Sequence, residues 1–134
     1  MDSFSIKSVR SDSELVFDDY DGDHFTVRLV GTELSATLRV WGYTDCRPLV
    51  EMLSYLASLQ ADWPSPAEWS SIESEFAVKI RCDAWGHVLV AVHMQRVLGG
   101  PEDWKLDAEI ETELGQLPRI ASNAARFFNV NVTS

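Results

Sequence analysis

Three groups of side chains in this sequence have types and spacings from which chemistry could be built. Asp19, Asp21 and Asp23 alternate through the stretch DDYDGD, an oxygen-ligand pattern that invites calcium. A calcium loop of the EF-hand kind needs Gly at its sixth position and Glu at its twelfth. Counted from Asp19, those places hold His24 and Val30, so the stretch reads as a solvated hairpin turn and no metal is expected. The histidines are His24, His87 and His93. His87 and His93 fall on the same wet face of one predicted strand, but six residues separate them by about 20 Å, too far for one ion. A general base also needs a positioned partner, so a structural role is expected for all three. Ser70 and Ser71 precede a strand without the strained strand-to-helix turn of a nucleophile elbow, and they read as turn residues. No catalytic residue and no cofactor is expected.

The third group is ionic. Lys79 and Arg81 alternate on one strand, Leu89 and Ala91 on the next, and Asp107, Glu109, Glu111 and Glu113 on a third. If the third strand sets Asp107 near Ala91, their common face grades from basic to strongly acidic across small apolar residues. A solvated face is the ordinary meaning of such a pattern. The functional alternative is a docking face for a basic protein, with Asp107, Glu109 and Glu111 as the partner-binding residues. The tryptophans Trp63, Trp69, Trp85 and Trp104 could form a ligand platform, but covering the ends of a sheet is their commoner use.

These side chains need elements to hold them, and the chain is organised around residues 69–94. From Ile72 to Cys82 the even positions are Ile, Ser, Phe, Val, Ile and Cys, and the odd ones Glu, Glu, Ala, Lys and Arg. That period of two marks a strand with one buried and one wet face. Asp83-Ala84-Trp85-Gly86 breaks the pattern, and Val88, Val90, Val92 and Met94 resume it. Side chains directly opposite share a face, so a hairpin pairing Cys82 with Val88, Ile80 with Val90 and Val78 with Val92 is predicted.

Before this hairpin, Phe4 to Val9, Glu14 to Phe17, Phe25 to Leu29 and Leu34 to Val40 alternate in the same way, with turns at Ser11-Asp12-Ser13, Asp21-Gly22 and Gly31-Thr32-Glu33. Four strands joined by short turns imply an antiparallel meander. The period then lengthens. Leu49, Met52, Leu53, Leu56 and Leu59 predict a helix over residues 45–61, with Thr44 or Asp45 as N-cap and Pro48 in the first turn. Asp62-Trp63-Pro64-Ser65-Pro66 reads as a linker within the domain. After Leu98-Gly-Gly-Pro-Glu-Asp, Trp104, Leu106, Ala108 and Ile110 alternate again, and Leu117, Ile120, Ala121, Ala124 and Phe127 or Phe128 form a second helical stripe. The expected fold is α+β in one domain: a single antiparallel sheet of about seven strands, ordered β4-α-β3-α, with both helices packed on one face.

Composition bounds the function. The 134 residues suit one domain, and a hydrophobic content of 46% excludes a disordered acidic tail. A net charge of −10 argues against nucleic acid, whose phosphates need clustered Lys and Arg. Cys46 and Cys82 are too few for a disulfide framework and read as reduced thiols. No apolar run nears the ~20 residues of a membrane span, and the start has no signal-peptide core. A cytoplasmic location is the expectation, and no membrane partner.

Trp69-Ser70-Ser71-x-Glu73, then Asp83-x-x-Gly86-His87-Val88, then Trp104, with Gly115-Gln116-Leu117 before the last helix, resembles an uncharacterised bacterial domain family from about residue 25 onward. Its organisation is similar to that of the WapI-type immunity proteins, which protect a bacterium from a toxin made by itself or its kin. Gly86, Val88, Trp69 and Trp104 look like folding determinants, so the resemblance carries over no catalytic residue. It implies a non-enzymatic protein-binding module that neutralises a toxin by direct binding, and the acidic surface suits a basic partner. The alternative is a small-molecule-binding protein or enzyme with a pocket between helices and sheet.

Overall fold

The computed structural model describes residues 2–131. The first meander forms as its alternation and turns dictate: β1 (Ser3–Lys7), β2 (Glu14–Asp18), β3 (His24–Val30) and β4 (Ser35–Trp41), antiparallel and in sequential order. Each strand sends alternate residues inward, among them Phe4, Phe17, Phe25, Leu29 and Val40. The chain then enters α1 (Cys46–Leu59), which buries Leu49, Val50, Leu53 and Leu56. Asp45 holds the N-cap position, but its backbone is already helical (φ −89°, ψ −13°) and its side chain makes no cap bond, as a cap needs an extended residue there.

The second half departs from the expectation. Among the described residues, eight strands form two four-stranded antiparallel sheets, not one sheet of seven with helices on one face. The eighth strand is β5 (Trp63–Ser70), in the segment predicted as a linker, and it edges the sheet β5-β6-β7-β8 with β6 (Phe76–Cys82), β7 (His87–Arg96) and β8 (Trp104–Glu113). Proline cannot donate to a ladder and is confined to edges and bulges. Both conditions hold here: β5 pairs on one side only, and its register shifts between Trp63 and Ala67, so Pro64 and Pro66 sit where no ladder bond is needed. Trp63 and Trp69 anchor the strand, their indole N–H groups donating to the carbonyls of Ile80 (3.1 Å) and Asp45 (2.9 Å). A second difference is that β6 starts at Phe76, and Ile72 lies exposed in the preceding turn. Buried Ser71 closes that turn, its hydroxyl accepting the N–H of Phe76.

The predicted hairpin register is the observed one: Cys82 faces Val88, Ile80 faces Val90 and Val78 faces Val92. Gly86 adopts φ +82° in its turn, a conformation side chains rarely tolerate. After β8, a 3-10 turn (Leu114–Gln116) leads into α2 (Leu117–Phe127), which buries Leu117, Ile120, Ala121, Ala124 and Phe127.

The two sheets meet through their apolar faces. Phe76 of the second sheet packs against Phe17 and Phe25 of the first, with ring centroids 5.8 and 6.2 Å apart, and Phe128 reaches Phe4, Phe17 and Phe25. One hydrophobic core runs through both sheets and both helices. Two half-apolar meanders bury more by facing each other than by extending one open sheet, which leaves apolar area for only two helices to cover. At one margin they touch edge to edge, where the Val9 N–H donates to the Glu111 carbonyl at 2.8 Å.

Candidate functional site

The outward face of the second sheet carries most of the chemistry-bearing residues. Its rows follow from register: Ser70, Ala77, His93 and Asp107 lie across the four strands, then Glu68, Lys79, Ala91 and Glu109, then Arg81, Leu89 and Glu111. Ala91 faces Glu109 rather than Asp107. That two-residue difference keeps every side chain on its expected face, because the side-chain period is two.

Asp107, Glu109 and Glu111 of β8 each face a basic group of this same chain. Asp107 Oδ1 lies 2.7 Å from His93 Nδ1, and His93 Nε2 lies 3.0 Å from Gln95 Oε1. Glu109 sits 3.4 Å from Arg81, which reaches it across β7 because Ala91 leaves the space. Glu111 takes the Arg10 guanidinium at 3.2 Å with both oxygens, and Lys79 pairs with Glu68 at 2.9 Å. The side chain of Glu111 is 15% exposed, against 45% for Glu109 and 77% for Asp107. Asp107 and Glu109 are therefore open to a partner, and Glu111 is mostly committed to tying the first sheet's margin to β8.

Between these pairs lies an open groove of about 440 Å³, floored by Ala77 and Ala91 and walled by Glu68, Lys79, His93 and Asp107. Hydrogen bonds to Asp107 and then Gln95 hold the His93 imidazole above its ordinary value. The His93–Asp107 pair is the feature that reading by sequence missed. It becomes visible once the β7–β8 register is known, since the two residues stand directly opposite each other.

Elsewhere the candidate residues serve the fold. Asp21 accepts the N–H groups of Asp23 (2.9 Å) and His24 (2.7 Å), which with Arg39 keep its carboxyl below the usual range. Asp19 and Asp21 both pair with Arg39, at 3.3 and 3.1 Å. Among the described residues no cluster of three His, Cys, Asp or Glu side chains is placed to hold a metal ion. His87 lies 3.0 Å from Asp83, whose carboxyl is lowered chiefly by the N–H of His87. Both cysteines are free and buried, and burial pushes the Cys46 thiol up to about 11. Trp85, by contrast, is 83% exposed at the tip of the β6–β7 turn.

A family model, DUF6228, described as a family of unknown function, matches residues 5–131. The chain belongs to this family. The DUF6228 match reaches further toward the N-terminus than the resemblance read from sequence, taking in the acidic turn at residues 18–23 and the β1–β2 hairpin from Ser5 onward. No curated protein matches the chain, and the function of the DUF6228 family is unknown. No helix among the described residues is long and apolar enough to cross a membrane.

Proposed function

We infer that this DUF6228 protein is a non-enzymatic protein-binding module that docks a basic partner on the outward face of its second sheet. The specific form of this reading is an immunity protein that neutralises a toxin domain in the cytoplasm by direct binding, in the manner of the WapI-type immunity proteins. One observation carries it: the regular edge strand β8 presents Asp107 and Glu109, exposed, beside a shallow floor of small apolar side chains. Such a floor lets a partner approach closely, and rim carboxylates steer it. Their bonds to His93 and Arg81 are exposed and cheap to exchange for intermolecular ones.

The test is co-purification from the native host, then binding kinetics of wild type and Asp107→Lys/Glu109→Lys at two salt concentrations. Association should slow as salt rises and slow further in the double variant, while dissociation changes less. A partner that binds the variant as fast and as tightly as wild type would remove this face from the reading.

A second reading rests on the His93–Asp107 pair in the groove, which is the arrangement of an acid–base group and its orienting carboxylate. A small molecule would then occupy the outward groove rather than a pocket between helices and sheet. A metabolite that stabilises the domain, with the effect lost in His93→Gln, would favour it over protein docking.

A further inference from the structure

The second sheet ends at β8, and two backbone bonds fix which way the peptide groups of that strand point. Leu114, just past the strand, donates its N–H to the Gly86 carbonyl on the β7 side, while the Glu111 carbonyl takes the Val9 N–H from the opposite side. Successive residues of a strand alternate in this respect, and the pairing with β7 runs uninterrupted from Glu113 back to Trp104. The even-numbered residues therefore bond to β7, and Lys105, Asp107 and Glu109 turn both N–H and C=O to the free side. No strand lies there among the described residues, and the segment at Val9 closes the edge only at Glu111.

The same stretch is incompletely covered on its core side. Leu106 and Ala108 are only partly buried, although Met94 and Val92, opposite them in β7, are fully buried. Proteins blunt an exposed edge with proline, a bulge, a cover or charge. β5 uses the first two, with Pro64, Pro66 and its shifted register. From Trp104 to Ile110, β8 uses only charge, and the exposed acids Asp107 and Glu109 discriminate by sign. The edge of β4 offers no such acid, since its exposed side chains are Ser35, Thr37 and Arg39.

Resting on the reading of β8 as a docking strand for a basic partner, we propose that its open edge takes up an extended basic segment of that partner as an added strand. Main-chain bonds to Lys105, Asp107 and Glu109 hold the segment. Side chains of an added strand alternate between the two faces. Those beside Asp107 and Glu109 are Lys or Arg, and those beside Leu106 and Ala108 are apolar. A second copy of this chain carries the same net charge of −10, and like charge disfavours it as the occupant.

The probe is a synthetic hexapeptide of alternating Lys and Val, with two further versions N-methylated at its Lys or at its Val residues. NMR of the full chain follows binding and amide hydrogen exchange. The amides of Asp107 and Glu109 should exchange freely alone and slow about tenfold or more with peptide bound, while those of Leu106 and Ala108 stay protected throughout. One of the two methylated peptides should bind about tenfold or more weakly, and the other nearly as well as the parent. Lys105→Pro removes an edge N–H, no internal bond and one positive charge. It should weaken strand addition about tenfold, whereas docking by charge alone should hold or tighten. Binding that leaves the Asp107 and Glu109 amides fast, or that ignores Lys105→Pro and both methylations, overturns strand addition and leaves docking on the outward face standing. Unchanged binding to Asp107→Lys/Glu109→Lys overturns both. Absence of saturable binding overturns the proposal, as does protection of the same amides on raising the protein concentration alone, which assigns the edge to a second copy.

Discussion

The fold acts on the protonation of His93 through both of its ring nitrogens. Asp107 and Gln95 oxygens face its two ring nitrogens, so the doubly protonated ring donates to both, while Lys105 and partial burial oppose the charge. Its folded pKa therefore lies above the ordinary 6.5. The stabilisation is fully present below the unfolded value and is lost as pH rises through the folded one. An NMR titration of the His93 ring should show a midpoint above 6.5 that returns toward it in Asp107→Asn. Equal midpoints in both proteins would mean the pair does not form in solution. The individual members of this site were legible, because Asp107 and His93 each fall on a wet face by simple alternation. Their pairing was not, because a strand's parity is set by its pattern but its register by the connecting loop. The loop over residues 97–103 carries no two-residue turn that would have fixed it.

At the scale of elements, the short connection Asp83-Ala84-Trp85-Gly86, with apolar residues alternating on both sides of it, let the β6–β7 register be read from the shared face. That register puts Val90 in the core at 1% exposure and Lys79 on the outward face, beside Glu68. Val90→Asp buries an unpaired charge and should cost about 4 kcal/mol or more, enough to unfold a marginal domain. Lys79→Ala loses one exposed ion pair and should cost less than about 1 kcal/mol. Urea melts of the two variants measure the difference, and similar losses would mean the faces are misassigned. β5 escaped notice for the opposite reason. Pro64 and Pro66 disqualify a central strand, and only the edge position and the shifted register accommodate them. The available signal was the two tryptophans flanking the segment, Trp63 and Trp69, since large indoles ordinarily find buried places and mark an anchored segment rather than a linker.

For the molecule as a whole, the number of sheets was the part least visible in sequence. Alternation shows that every strand has one apolar face, but it does not say whether two such sets lie side by side or face to face. Phe76 decides it by touching Phe17 and Phe25 across the core. The charge distribution was also only partly legible. The excess of acid is evident from composition, whereas its local pairing with Arg81, His93 and Arg10 depends on how the chain returns on itself.

Each sheet is a meander of consecutive strands, so the ladder of either one is closed by local loops alone. Chains whose pairings are near in sequence form them quickly, and β1 to β4 can assemble before the second half is available. The slow steps are then the docking of Phe76 and Phe128 onto a preformed sheet and the late link between Val9 and Glu111. In native-state hydrogen exchange, the amides of β2 and β3 should open as one cooperative unit and those of β6 and β7 as another, with different free energies. One shared opening energy for all four strands would mean that neither meander persists without its partner. A partner gripping β8 would then bear on the part of the chain that completes folding last, and its hold would register as slower unfolding of the second sheet before any change in the first.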